Sequence, residues 1–297
     1  MKRQFSILNL VISLVLYLST CSFAQQKGLL WEISGNGLTQ KSYLFGTMHV
    51  TDERVFNFPN GFKSAFDACQ AFAMELNLDS AQNPTQALAL MQYMMMKDGR
   101  TLKDLVSKKD YQKVESFFNK HSPNVPFAMM SMMKPIFLMS IVEQAKPKPL
   151  GARDQPLDKY LASLAKDAQK PIIGLETLQE QMQALDVISV EEQAKQLVKA
   201  IKGAEKMKKN DKTMDELMKY YLAGDLTKLY QLSQKKDVKP EAQQALIIKR
   251  NLNMVDRIDA RIKSTSVFIA VGALHLPGEQ GILRLLERKG YTLKSIP

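Results

Sequence analysis

Cysteine is almost absent from this chain: Cys21 and Cys69 are the only two in 297 residues. If the chain is cut after Ala24, as its first residues suggest, Cys69 is left alone and no internal disulfide can form, even in an oxidising compartment. Stability then has to come from a buried core, and the remaining length suffices for one, at the upper end of a single domain. Long apolar runs are the second shortage. Beyond the first 24 residues nothing approaches the roughly 20 residues that cross a bilayer, so the mature chain reads as soluble. Acidic residues are outnumbered, 30 Asp and Glu against 41 Lys and Arg, for a formal charge of +11. Much of the excess lies between Lys195 and Lys239, yet that segment has few arginines and few interleaved aromatics, which argues against a nucleic-acid partner. Absent too are His-Glu-x-x-His, Cys-x-x-Cys and Gly-x-Ser-x-Gly sequences, and with them the common zinc-protease, zinc-finger and serine-hydrolase readings.

What is present begins with a leader. Lys2 and Arg3 form a charged start, Ile7 to Leu18 a mostly apolar run, and Ser22-Phe23-Ala24 a small-residue cleavage site before Gln25. Residues 1–24 therefore read as a signal peptide, which predicts a secreted or periplasmic protein. Lipid attachment at Cys21 fits less well, because Thr20 is bulky beside the modified residue. Further on, Lys202, Lys206, Lys208, Lys209 and Lys212 alternate with Glu205, Asp211, Asp215 and Glu216. That pattern predicts a solvated helix face, with a weak attraction to anionic membrane surfaces as the secondary reading.

Leu29 to Ser34 and Ser42 to Gly46, two short apolar runs around Gly35-Asn36-Gly37, predict a β-hairpin that delivers His49 just beyond its second strand. A helix is predicted from Pro59 to Cys69, where Phe62, Ala65, Phe66 and Cys69 make one apolar face. A strand from Ala71 to Leu78 carries a single acid, Glu75. Residues from about 80 to 150 read as a large, mainly helical insertion rich in methionine: Met91, Met94, Met95 and Met96, then Met129, Met130, Met132, Met133 and Met139. Methionine fills irregular gaps, so helix packing is the plain reading and a cover over a cleft the functional one. Lys146-Pro147-Lys148-Pro149-Leu150-Gly151 breaks the helical run. A helix from Leu157 to Ala168 and a strand from Lys170 to Thr177 follow, then helices from Leu178 to Ile262 interrupted near Gly203, Gly224 and Pro240. A strand from Ser266 to Val271, a helix from Gly281 to Lys289 and a short strand at Tyr291-Thr292-Leu293 close the chain. Strands at both ends and twice between, separated by helical blocks, predict an α/β fold: a central mixed sheet covered by helices, with residues 25–297 as one domain.

Two of the three histidines stand in the same phrase. Tyr43-Leu44-Phe45-Gly46-Thr47-Met48-His49-Val50 and Phe268-Ile269-Ala270-Val271-Gly272-Ala273-Leu274-His275-Leu276 each run from an apolar strand to a glycine and, three residues later, a histidine. Sites in α/β sheets form beyond strand ends, and each glycine permits a sharp exit or a close backbone approach there. His49 and His275 would meet if their strands were neighbours. Glu75 and Glu176 sit on or at the end of strand-like runs, where a lone carboxylate is costly without a metal, an arginine or a histidinium beside it. Two chemistries remain open: ligation of a divalent metal that activates water, or direct general acid–base work by histidine and glutamate. His121, in Asn119-Lys120-His121-Ser122-Pro123, reads as a loop residue outside the site.

At these residues the chain resembles the TraB/GumN family, related to the Tiki-type proteases and more distantly to erythromycin esterases and ChaN-like haem-binding lipoproteins. The likeness runs from Leu30-Trp31-Glu32-Ile33 through the first Gly-x-x-His phrase, Glu75, Asp158 with Ala165, Pro171 to Thr177 and Gln181. It continues at Lys249-Arg250-Asn251 and ends with the second Gly-x-x-His phrase, Gly278, Gly281 and Gly290-Tyr291. It implies an α/β fold in which both phrases and a glutamate share one cleft, with His49, Glu75 and His275 as metal ligands or water-activating residues. It also implies Arg250 as a positive charge that orients Glu75 or holds a substrate carboxylate or oxyanion. Asp158 and Glu176 match the family's middle segment, although Leu157 stands where relatives often have glycine. The resemblance thus points to a peptidase-like hydrolase of peptides or small molecules that uses manganese, cobalt, zinc or iron. A non-enzymatic metal or haem binder built on the same histidines is the alternative, and a scaffold with idle histidines a third. Oligomeric state is not legible.

Overall fold

The computed structural model of the chain describes residues 27–77, 84–146, 151–205, 212–234 and 240–297. The leader, residues 147–150 of the Pro-containing break and lysines 206, 208 and 209 lie outside those residues. Six strands form one sheet: β1 (Leu30–Gly35), β2 (Ser42–Thr47), β3 (Ala71–Leu76), β4 (Ile172–Glu176), β5 (Val267–Gly272) and β6 (Tyr291–Ile296), in spatial order β4-β3-β5-β2-β1-β6. β4, β3, β5 and β2 run parallel, while β1 is antiparallel to both its neighbours. The sheet is therefore mixed. β5 reads Val-Phe-Ile-Ala-Val without alternation because both its faces are buried, as expected of a central parallel strand. The predicted hairpin is β1–β2, and its turn uses three consecutive left-handed residues, Gly35, Asn36 and Gly37, with φ of 79°, 48° and 78°.

Two hydrophobic cores follow. The first lies on the sheet, where Phe45, Phe62, Phe66, Phe72 and Phe268 form a chain of edge-to-face, tilted and stacked ring contacts with centroids 5.1 to 6.4 Å apart. Helix α1 (Phe62–Ala68) supplies Phe62, Ala65 and Phe66 from one face, as its spacing predicts. It starts three residues later than Pro59, because Gly61 just before it takes a left-handed φ of 85° that cannot belong to a helix. Cys69 is buried at its end and burial pushes the thiol up to about 12.

The second core is built largely by the helices between β3 and β4, where the sequence predicts an insertion. After α2 (Pro84–Met94) come α3 (Lys108–His121), α4 (Phe127–Met130) and α5 (Pro135–Gln144), burying Leu102, Phe117, Phe118, Phe127, Met130 and Leu138. This core is not closed within residues 80–150. After α6 (Leu157–Asp167) and α7 (Leu178–Leu185), helix α8 (Val190–Glu205) returns to it with Ala194, Leu197, Val198 and Ile201 at spacings of three and four. Gly203 lies within α8 and does not break it. The methionines divide: Met96 and Met130 are buried, whereas Met91, Met129 and Met132 are among the most exposed large apolar side chains. His121 is not a loop residue. It closes α3 with its ring 4.5 Å from that of Phe117. The remaining helices are α9 (Lys212–Leu222), α10 (Leu226–Gln234), the single turn α11 (Pro240–Gln243), α12 (Lys249–Ile262) and α13 (Ile282–Arg288). Gly224 stands at a break, as predicted, while the residues just before Pro240 lie outside those described. Among the described residues no helix is long and apolar enough to cross a membrane.

Candidate active site

The two Gly-x-x-His phrases lie side by side. β2 and β5 pair in parallel with Gly46 opposite Val271 and Thr47 opposite Gly272, so both phrases leave the same edge of the sheet. Both glycines are small for a reason of space. A Cβ on Gly46 would stand 3.2 Å from Ala273 and from a Leu276 methyl; one on Gly272 would stand 3.2 Å from Glu75 Oε1. β3, on the other side of β5, brings Glu75 to that edge, and β4 brings Glu176. All four parallel strands thus aim their carboxyl ends at one region, where α/β sheets place their ligands.

Glu75 is held at both oxygens. Oε1 accepts the Gly272 N–H at 2.7 Å and Oε2 accepts Arg250 Nη2 at 2.7 Å. His275 Nε2 stands 3.8 Å from Oε1, too far for a hydrogen bond and about the span that a water or an ion bridges. Burial works to raise the Glu75 pKa, but His275, Arg250 and the Gly272 N–H more than offset it, so the carboxyl lies below its usual range and is ionised. Arg250 also grips Glu176, through Nε at 2.9 and 3.1 Å and Nη2 at 2.6 Å, while Nη1 donates to the Leu246 carbonyl at 3.2 Å. That carbonyl belongs to a π-helical segment, Gln244–Ile248, which runs into α12. Glu176 has a side chain only 1% exposed and takes a further bond from Gln181 at 3.2 Å. Buried Glu176 and half-buried Glu75 are therefore partnered by one arginine, which orients Glu75.

The histidines differ in setting. His275 is buried, with Nδ1 2.6 Å from Asn251 Oδ1, and burial pushes its pKa down despite Glu75. His49 has a side chain 75% exposed, and its Nδ1 meets Asp158 Oδ2 at 2.6 Å. The hydrogen bond to Asp158 raises the His49 pKa, with nearby Glu75 adding to the effect against some desolvation. Asp158 is in the first turn of α6, whose start is pinned to the His49 loop by Leu157 N–H donating to the Val50 carbonyl at 3.2 Å. Thr47 and Asn251 touch these side chains directly, yet neither stood out as a site residue in the sequence. The clue for Thr47 is its place inside the first phrase. For Asn251 it is its place beside Arg250, since adjacent helix positions face about 100° apart and so serve different partners.

In kind, these donors suit a metal. Each imidazole has one nitrogen tied to a side-chain oxygen and the other uncommitted, as ligating histidines do. Convergence is what the arrangement lacks: among the described residues no three His, Cys, Asp or Glu side chains stand close enough together to hold an ion. His275 and Glu75 face each other, whereas His49 is turned onto Asp158. His121 lies far along the chain from these groups, at the end of α3 with its ring against Phe117.

A parallel-centred sheet with histidines, glutamate and arginine gathered beyond its strand ends defines an α/β protein. The chain belongs to the TraB/PrgY/gumN family, whose profile matches residues 29–295. Among curated proteins it is similar to the "Metalloprotease TIKI homolog" of Nematostella vectensis, 25% identical over 87% of this chain and 65% of the relative. It is also similar to "Metalloprotease TIKI2" of Xenopus tropicalis (24%, 86% of this chain and 58% of the relative) and human "Metalloprotease TIKI1" (23%, 92% and 63%). The chain thus spans about three fifths of the length of these relatives. No solved structure matches.

Proposed function

We propose that this region is the active site of a peptidase-like hydrolase in which His275 and Glu75 activate a water and His49 serves the leaving group. The observation that carries this reading is the 3.8 Å gap between His275 Nε2 and Glu75 Oε1, with every other polar atom of the pair already anchored. The names of the relatives support the class. Neutral His275 takes a proton from the water as its oxygen bonds to the substrate carbonyl carbon, and ionised Glu75 stabilises the resulting imidazolium. His49, whose pKa the hydrogen bond to Asp158 raises, donates a proton from Nε2 to the departing amine as the C–N bond breaks. Arg250 stays with its two glutamates and acts by holding Glu75. A divalent ion such as manganese, cobalt, zinc or iron would need His49 brought together with Glu75 and His275 to be held, and would then supply water activation and carbonyl polarisation.

Turnover of a peptide library should fall in both His49→Ala and His275→Ala, and unchanged turnover in both would remove the reading. Elemental analysis of the same three proteins reads the metal: loss from both variants supports a shared set of ligands, and identical content argues against one. Stoichiometric metal without turnover on any substrate would make the protein a binder instead. We place this chemistry outside the cytoplasm, on the strength of the leader in residues 1–24; N-terminal sequencing of the exported protein should begin at Gln25.

A further inference from the structure

Both cleft histidines are gripped at Nδ1 by a side chain from a helix outside the sheet, and both grips are themselves fixed. Asp158 Oδ1 accepts the Thr47 hydroxyl at 2.6 Å, which leaves Oδ2 facing His49 Nδ1 at 2.6 Å. An ionised carboxylate only accepts, so the proton of that bond sits on Nδ1. Asn251 is fully buried, and its Nδ2 donates to the carbonyls of Gln280 at 2.6 Å and His275 at 3.3 Å. These two acceptors settle which end of the amide is which, so the atom 2.6 Å from His275 Nδ1 is the oxygen. There, too, the proton sits on Nδ1. A free neutral imidazole prefers its proton on Nε2, so the same unfavoured form is imposed twice, by unrelated helices, on the histidines that follow the two paired strands.

We propose that Asp158 and Asn251 are positioning residues that lock His49 and His275 in the Nδ1–H tautomer, presenting both Nε2 lone pairs to the cleft. The meaning of this lock rests on the hydrolase reading, since a lone pair is what a proton or an ion requires. Its test does not. Long-range proton–nitrogen correlation spectra of the full chain, treated with chelator and recorded at pH 9, report the tautomer of each imidazole without any substrate. The chain has only three histidines, and His121, exposed at the end of α3, supplies an internal reference.

In the wild type, His49 and His275 should each show a protonated Nδ1 and an unprotonated Nε2, while His121 shows the ordinary mixture. In Asp158→Asn the new amide can keep the Thr47 hydroxyl on its oxygen and donate its N–H to His49 Nδ1, which moves the His49 proton to Nε2 and leaves the His275 pattern unchanged. Asn251→Leu should release His275 alone. If this buried substitution prevents folding, the wild-type spectrum and Asp158→Asn still decide the matter. An Nε2–H or mixed pattern at either wild-type histidine overturns the proposal, as does an unchanged His49 pattern in Asp158→Asn. Where turnover is measurable, Asp158→Asn should lower kcat by on the order of 100-fold or more with little change in KM. Tautomers as stated but no turnover in any protein would sink the hydrolase reading and leave the lock standing.

Discussion

Replacing Arg250 by methionine should destabilise the protein in a way that depends on pH. The guanidinium is the cation that neutralises Glu176, whose side chain is 1% exposed, and it also bonds Glu75, 25% exposed. Removing one partner of a buried pair costs about 3–5 kcal/mol, because a charge is stranded. The stranded carboxylate has an escape, since it can take a proton. From an ordinary glutamate pKa that costs about 3.5 kcal/mol at pH 7 and about 1 kcal/mol at pH 5, at 1.36 kcal/mol per unit. Neutralising the stranded carboxylate by protonation thus costs more as pH rises, and the stability of the variant would fall with it. Urea unfolding of Arg250→Met should show a deficit of about 3.5 kcal/mol at pH 7, shrinking to roughly 1–2 kcal/mol at pH 5. Arg250→Met combined with Glu176→Gln should recover most of the loss at pH 7, because no stranded charge remains on Glu176. A deficit under about 1 kcal/mol at pH 7 would refute the account, and so would one that does not change with pH or a double variant no better than the single one.

Three further outcomes are expected. Gly46→Ala should cost about 1–3 kcal/mol in thermal unfolding, because its methyl meets Ala273 and Leu276 at 3.2 Å and neither the backbone nor the Leu276 methyl can give way freely. Leu197→Ala should cost about 2–5 kcal/mol although the residue lies far in sequence from the insertion, and a cost near zero would mean that α8 does not close the second core. The histidines should pull the pH–stability profile in opposite directions. His49, with its pKa raised, contributes fully below the ordinary value of 6.5 and loses that contribution as pH rises through its folded pKa; His275, with its pKa lowered, costs stability as pH falls below 6.5. Asp158→Asn should therefore abolish the alkaline loss and keep the acidic one in urea midpoints from pH 5 to 8, whereas a profile parallel to wild type would contradict the assignment.

The sheet was legible because its strands carry strong local signals. β5 is an unbroken apolar run, and Gly35-Asn36-Gly37 supplies the left-handed turn that the β1–β2 hairpin needs. Adjacency of the two glycine-histidine strands was only suggested by their matching phrases, since sequence says nothing of spatial order; the β2–β5 ladder supplies it. Arg250 was legible as the cation near Glu75, but not its simultaneous hold on Glu176, which depends on how α12 lies across β3 and β4. Thr47 and Asn251 were hidden for a simpler reason: a threonine beyond a glycine and an asparagine within a helix carry no periodic or charge signal until their neighbours in space are known. The helix predicted from Pro59 failed at Gly61, where backbone conformation overrode the apolar spacing.

The second core has a bearing on how this protein can change. Because α8 completes it from beyond β4, the insertion is woven into the chain twice, once after β3 and again after β4. Excising residues 84–146 alone would leave Ala194, Leu197, Val198 and Ile201 as a bare apolar stripe on a helix still tethered to the sheet, an invitation to aggregate. The insertion is therefore not a detachable cap. A chimera that transplants it must carry α8 as well, and one that removes it must remove both pieces, which ties any remodelling of these helices to the segment that follows Glu176.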